Sequence, residues 1–389
     1  MRAVRRLVAG AAVIAGAIAS SGVSGCAGQG ATSPKVSGNE LAVYVSAPPG
    51  TPPDVLAAER LAITNGSRQV GRFGVKFAVL HGRASANART AIEDSSAIAY
   101  IGEAQPGLSG GTIGITNAQD LLQVSPTDTA TELTRSTPAV KGAPGIYYES
   151  RGTYGRTFAR VVPTSVAEAR AQVAEMRSLG VRKVYVTDDS SSYGKAIALA
   201  VVHAMGAPLT AVEGPPDAAR VSASGADAVF FGGTSAKLAT TLFNGVGKLK
   251  LFAPSALYSD GFVGGLSGSA RSALYVSSPG FLSRDLPSAA RSQFLSPFLA
   301  AYHHQPLPEA IFGYEAVSAV LAVIKQAGSA ANQRATVVRD FMRFRSGSSV
   351  LGSFSIDEFG NPTIAPFVFA RVHGSTLMPV RSVQVPGGS

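Results

Sequence analysis

The 389 residues carry 34 Lys and Arg against 24 Asp and Glu, a formal charge of +10, with 46% hydrophobic residues and one cysteine. A lone cysteine excludes an intramolecular disulfide, so the apolar core alone must hold the fold. Basic residues scattered without an aromatic-flanked stripe argue against a nucleic-acid partner, and the histidines lack the spacing of a zinc site, so neither metal nor cofactor is expected.

In chain order, Arg2, Arg5 and Arg6 precede an apolar run from Leu7 to Ala19, and small residues lead to Val23-Ser24-Gly25-Cys26. A basic start, a short apolar stretch and a small-residue end describe an export signal over residues 1–25. The run of 13 residues is too short to cross a hydrocarbon core of about 30 Å as a helix. Val23 to Cys26 resembles the bacterial lipobox, which implies diacylglycerol on the Cys26 thiol and cleavage before it. Loss of the three arginines, with no acid, takes the charge from +10 to +7. Residues 26–39 are small and turn-forming and read as a flexible tether.

From Leu41 onward, short aliphatic runs alternate with helical patterns. Strands are expected at 41–45, 75–80, 98–101, 121–124, 184–186, 229–231, 249–252 and 274–276. Helices are expected at 54–64, 84–94, 109–119, 195–205 and 310–327, the last stopped by Gly328. Another opens at Ser165, which with Glu168 has the spacing of a capping box, and Val166, Ala169, Val173 and Met176 share one stripe. Single helices between strands imply an α/β fold with parallel sheets buried on both faces. The runs 350–356, 366–373 and 377–383, joined by turn residues, read as a small antiparallel meander.

Six phrases stand in a fixed order. They are Tyr100-Ile101-Gly102; Val124-Ser125-Pro126-Thr127-Asp128-Thr129 with Glu132-Leu133-Thr134; Phe158 to Pro163; Gly180 to Val184 with Asp188-Asp189 and Tyr193-Gly194; Gly313-Tyr314-Glu315-Ala316-Val317; and Leu351-Gly352 with Phe354, Asp357 and Gly360. Together, across most of residues 40–372, they resemble the type I periplasmic solute-binding proteins, the leucine/isoleucine/valine-binding group of ATP-binding-cassette importers. The resemblance implies two doubly wound parallel-sheet lobes, one at 40–162 plus 281–346 and the other at 163–280 plus 347–389. The interlobe cleft would lie beyond the strand ends, where helix N-termini offer backbone donors. It further implies a monomeric, non-enzymatic binding subunit, lipid-anchored through Cys26 at the outer face of the cytoplasmic membrane or in the periplasm. Its partners would be permease subunits and a small-molecule ligand: an amino acid, amide or small carboxylate. An envelope interaction or sensory module on the same fold is the alternative.

Carried over residue by residue, the resemblance puts the ligand's carboxylate at the loop from Pro106 to Ser109 and at Thr127 and Thr129, with Tyr193 covering it. Thr234 stands where the family has an aromatic. Ser255 stands where amino-acid binders have the acid that pairs with the ligand's ammonium. Pro106 replaces a family serine and has neither hydroxyl nor N–H. A buried ammonium without an opposite charge is costly, so the exchange at Ser255 argues against an α-amino acid unless Asp128, Asp189 or Asp260 takes over. The loop from Ala47 to Pro53 is proline-rich and either shapes the cleft mouth or forms a rigid surface turn. His303-His304 reads as a solvated loop, Gly110-Gly111 and Gly232-Gly233 lack a phosphate-loop lysine, and no nucleophile elbow directly follows a strand.

Overall fold

The computed structural model describes residues 33–148 and 155–387. Cys26 and the export signal lie outside the described residues. The expected tether is shorter at its far end: Val36 is buried and its N–H donates to the Asn332 carbonyl at 2.8 Å, so residues 33–39 belong to the fold.

The first sheet contains β1 (Glu40–Ser46), β2 (Gln69–Val70), β3 (Phe73–Leu80), β4 (Ala97–Ile101), β5 (Leu122–Ser125) and β6 (Phe158–Arg160), in the order β2-β3-β1-β4-β5-β6. All neighbours are parallel except β2 with β3. Leu41, Val43 and Val45 have no exposure, and β4 is buried throughout, as strands covered on both faces require. One face receives the helices Pro53–Asn65 and Ala310–Ala327, which pack so closely that a Cβ on Gly313 would sit 2.5 Å from the Val55 carbonyl. The latter helix is apolar and long enough to cross a membrane, but it is the buried core helix of this lobe.

The second sheet is built from β7 (Lys183–Asp188), β8 (Thr210–Glu213), β9 (Ala228–Gly232), β10 (Lys250–Ala253) and β11 (Leu274–Pro279), all parallel. After these come the hairpin β12 (Arg345–Ser349) and β13 (Gly352–Ser355), then β14 (Ile364–His373) and β15 (Thr376–Pro386). β14 and β15 extend the second sheet antiparallel, giving the order β15-β14-β11-β10-β9-β7-β8. The expected single meander is therefore two separate hairpins. Val350, Leu351, Phe354 and Ile356 of the first hairpin pack in the core on the first sheet, so the sequence boundary at 346/347 assigns them to the wrong lobe.

Two local expectations are also corrected. The helix expected at 109–119 is a tight turn, Leu108–Gly111, followed by the short helix Ile113–Asn117. The helix Ser165–Ser178 is capped one residue earlier than expected, by Thr164, whose hydroxyl accepts the Ala167 N–H. Ser165 and Glu168 form no capping box, which releases Glu168 for another role.

Candidate functional site

Two adjoining cavities open where the carboxyl ends of the two sheets face each other. The larger, 660 Å³, is lined from the first sheet by the loop after β4, including Pro106 and Leu108, with Glu132 and Tyr147, and from the second by Ser191 to Tyr193 and Thr234. The smaller, 360 Å³, is lined by Thr127, Ser255, Tyr258, Asp260 and Glu309 among others. Gly50, Gln105, Pro106 and Ala256 border both. The proline-rich loop is thus a wall of the cleft, its Pro49 carbonyl accepting a 3.0 Å bond from Gln105.

Four of the six candidate ligand residues line these cavities. Tyr193 and Thr234 line the larger cavity, and Thr127 and Ser255 the smaller. Thr129 is close enough to Tyr193 for its hydroxyl to favour the tyrosinate, against a pKa that burial drives well up. Tyr193 is 3% exposed and Thr129 1%; the Tyr193 hydroxyl sits among Thr129, Ser255 and Glu168 and interacts with each, while neither hydroxyl makes a well-formed hydrogen bond. Thr127 spends its hydroxyl on the Ala104 carbonyl at 2.6 Å. Thr234 is exposed at the rim.

Ser109 is different. It is fully buried and borders neither cavity; its oxygen accepts the Glu103 N–H at 3.1 Å and its own N–H goes to Asp128. It shapes the loop from behind rather than facing a ligand. Although Gly107-Leu108-Ser109-Gly110-Gly111 has the residue spacing of a nucleophile elbow, no histidine is among the partners of Ser109.

The electrostatics depart from the sequence expectation. The loop's backbone donors face a carboxylate, but it is the protein's own: Asp128 accepts from Gly107 at 2.6 Å, Ser109 at 2.9 Å and Ala130 at 3.1 Å. Asp189 does the same across the cleft, accepting the N–H groups of Ser191, Thr234 and Ser235 at 3.1, 2.8 and 3.1 Å. Burial pushes Asp189 up, yet these bonds outweigh it and hold its carboxyl below the ordinary range. Asp128 is raised by burial, opposed by Arg160 and the same N–H groups. Neither aspartate is free to serve as the replacement acid that the sequence suggested; Asp260, exposed at the smaller cavity, is held by a single backbone bond, from the Leu377 N–H at 3.3 Å.

The acid that sequence reading missed is Glu168. It is fully buried, and its carboxylate accepts the N–H of Ser255 at 2.6 Å and the hydroxyls of Ser255 at 3.0 Å and Ser277 at 2.6 Å. Ser255 therefore replaces an acid in sequence but presents one in space. Burial raises the pKa of Glu168 against these bonds. Burial also raises Glu132, whose Oε2 has no partner, and pushes Glu309 up to about 7, helped by Glu168 and Asp54. The cation behind this group is Arg160, without exposure, donating to the carbonyls of Asp128 at 2.6 Å and Ala130 at 2.8 Å. Among the described residues no cluster of His, Cys, Asp and Glu is arranged to hold a metal.

The chain is similar to known proteins in sequence pattern and in fold. The profile of the periplasmic binding protein family matches residues 81–388. No curated protein sequence matches significantly. A leucine-binding protein of Thermotoga maritima superposes with a TM-score of 0.71 at 18% identity, over 88% of this chain and 98% of that one. A substrate-binding protein of Desulfitobacterium hafniense in complex with leucine gives 0.70 at 19%, over 88% and 100%. A solute-binding protein of R. palustris in complex with benzoate gives 0.65 at 18%, over 90% and 98%. The chain belongs to the periplasmic binding protein family and has its type I fold of two α/β lobes.

Proposed function

We propose that this protein is the extracytoplasmic solute-binding subunit of an ATP-binding-cassette importer. In this reading lipid on Cys26 holds it to the membrane, and its two lobes close over one small polar molecule for delivery to permease subunits. The observation that carries the reading is a cavity with walls from both sheets, lined by Tyr193, whose buried hydroxyl makes no well-formed hydrogen bond. An unpaired buried polar group costs about 1–3 kcal/mol, and a ligand that bonds to it removes that cost. A molecule touching both walls favours the closed arrangement, which is hinge closure by population shift. Thr127, Thr129, Tyr193 and Ser255 are the proposed contacts, with Thr234 at the mouth. The neighbours bound to leucine and to benzoate show that one fold serves chemically different ligands, so the ligand class must come from this chain's own residues.

Tyr193→Phe and Thr129→Val are expected to have opposite effects on the empty and the occupied protein. Each removes an unsatisfied hydroxyl, so the empty protein should melt no lower than wild type. Each also removes one ligand bond, so affinity should fall about three- to tenfold. Thermal shift against a panel of amino acids, amides, amines and small carboxylates, then calorimetric titration of the best member, measures both effects. Affinity unchanged in both variants contradicts the site. Failure of every panel member to stabilise wild type contradicts the solute-binding reading.

A further inference from the structure

We infer that the cleft is built for a linear organic diamine without a carboxylate, a narrowing that rests on the solute-binding reading above. Among the described residues, those lining the two cavities include Glu132, Asp260 and Glu309 and no lysine, arginine or histidine. Glu168 adds a further acid one step behind Ser255. Arg160, the nearby buried cation, donates from its two terminal nitrogens to the Asp128 and Ala130 carbonyls and the Thr134 hydroxyl, with Nε unpartnered, and its charge is answered by Asp128 and Glu132. An anion entering here meets like charge in a site of low dielectric.

Four backbone donors that could grip a carboxylate are already taken. The N–H groups of Gly107 and Ser109 are on Asp128, those of Thr234 and Ser235 are on Asp189, and Pro106 has none to offer. The protein's two aspartates occupy the anion positions of their own loops.

Unpartnered atoms supply an independent sign of a ligand. Glu132 Oε2, on a residue 2% exposed that lines the larger cavity, lacks a hydrogen-bond partner, and Tyr193 Oη and Thr129 Oγ1 make no well-formed hydrogen bond. The charges of Glu168 and Glu132 and the hydroxyls of Thr129 and Ser255 all act on Tyr193, so its hydroxyl stands among acceptor oxygens. A primary ammonium has three N–H donors and no acceptor, which suits three such oxygens. Tyr147 and Tyr193 also line this cavity, and aromatic rings are favourable neighbours for a cation. At the other end, the smaller cavity holds Asp260 and Glu309 beside Tyr258, whose buried hydroxyl is also unpartnered. Two acidic poles joined along a shared wall match two ammonium groups on one chain.

Glu309 makes the binding pH-dependent. It faces Glu168, Asp54 with its partner His304, and Tyr258, and burial among these acids places its titration at about 7. A second ammonium binds the ionised form, so affinity should rise as pH goes from 6 to 8.

Titration calorimetry with 1,5-diaminopentane and with lysine tests the inference, because the two molecules differ only by the carboxylate. The diamine should bind the wild-type protein at least about tenfold tighter than lysine, and tighter than 1-aminopentane. Glu309→Gln should weaken the diamine about fivefold or more at pH 8 and flatten the rise between pH 6 and 8, leaving 1-aminopentane nearly unaffected. Lysine, leucine or pentanoate binding as tightly as the diamine would overturn the diamine inference and leave the solute-binding reading standing. Stabilisation by no amine, amino acid, amide or carboxylate would overturn both.

Discussion

Arg160→Met is expected to destabilise the protein by about 3–5 kcal/mol, because it removes one side of a buried charge arrangement and leaves the other in place. The guanidinium has no exposure and holds the carbonyls of Asp128 and Ala130. Burial lowers its pKa, and the charges of Asp128 and Glu132 act against that shift. Methionine fills most of the volume but satisfies neither carbonyl, and it leaves Asp128 and Glu132 without a cation. Arg160→Lys should recover only part of the loss, since an ammonium cannot span the carbonyls as a planar fork does. Urea midpoints give the measurement, and the double variant with Asp128→Asn should cost less than the sum of the singles. A loss below about 1 kcal/mol for Arg160→Met would show that the cation does not hold the cleft loop.

The second large effect concerns pH. Glu315 is 1% exposed on the helix Ala310–Ala327, and burial pushes its carboxyl up to about 8 against bonds from Ser349 and Val350. Its Oε2 has no partner. A carboxyl raised above its unfolded value binds more protons folded than unfolded, so stability falls as pH rises from that value towards 8. Glu103 and Glu309, each raised to about 7 by burial, act in the same direction. Asp94 and Asp189 are lowered and contribute only on the acid side. Stability should therefore decline from pH 5 to pH 8, by about 1.4 kcal/mol for each unit of raised pKa as an upper bound. Glu315→Gln mimics the neutral acid. It should match wild type at pH 5 and exceed it at pH 8, with a melting temperature higher by several degrees. A wild-type melting temperature that rises over this range, or a variant no better at pH 8, contradicts the assignment.

The parallel strands were legible because strands covered on both faces need unbroken apolar runs, as in Val229-Phe230-Phe231. β8 and β6 lacked that signal: β8 is a half-exposed edge strand, and β6 is three residues long and ends in the buried Arg160. Turn chemistry located the C-terminal hairpins, but pairing is a matter of tertiary contact, so the docking of β14 on β11 could not be read from it.

The site was legible in composition and not in wiring. Tyr193, Thr127 and Ser255 line the two cavities, and Thr129 lines neither but lies beside Tyr193. Glu168 was hidden because its spacing from Ser165 mimics a cap, while its partners Ser255 and Ser277 lie 87 and 109 residues away. Asp128 and Asp189 looked available for a ligand, and only coordinates reveal that each is already bonded to backbone N–H groups.

The central claim is that one small molecule is held between the two lobes and draws them together. Cysteines placed at the exposed residues Pro49, on the proline-rich loop of the first lobe, and Lys237, on the helix Ala236–Gly245 of the second, allow spin labels to report the separation of the lobes in a chain carrying Cys26→Ser. The distance should shorten when the diamine or any other stabilising panel member is added, and stay unchanged with compounds that do not stabilise. A stabilising compound that leaves the distance distribution unchanged would contradict the account.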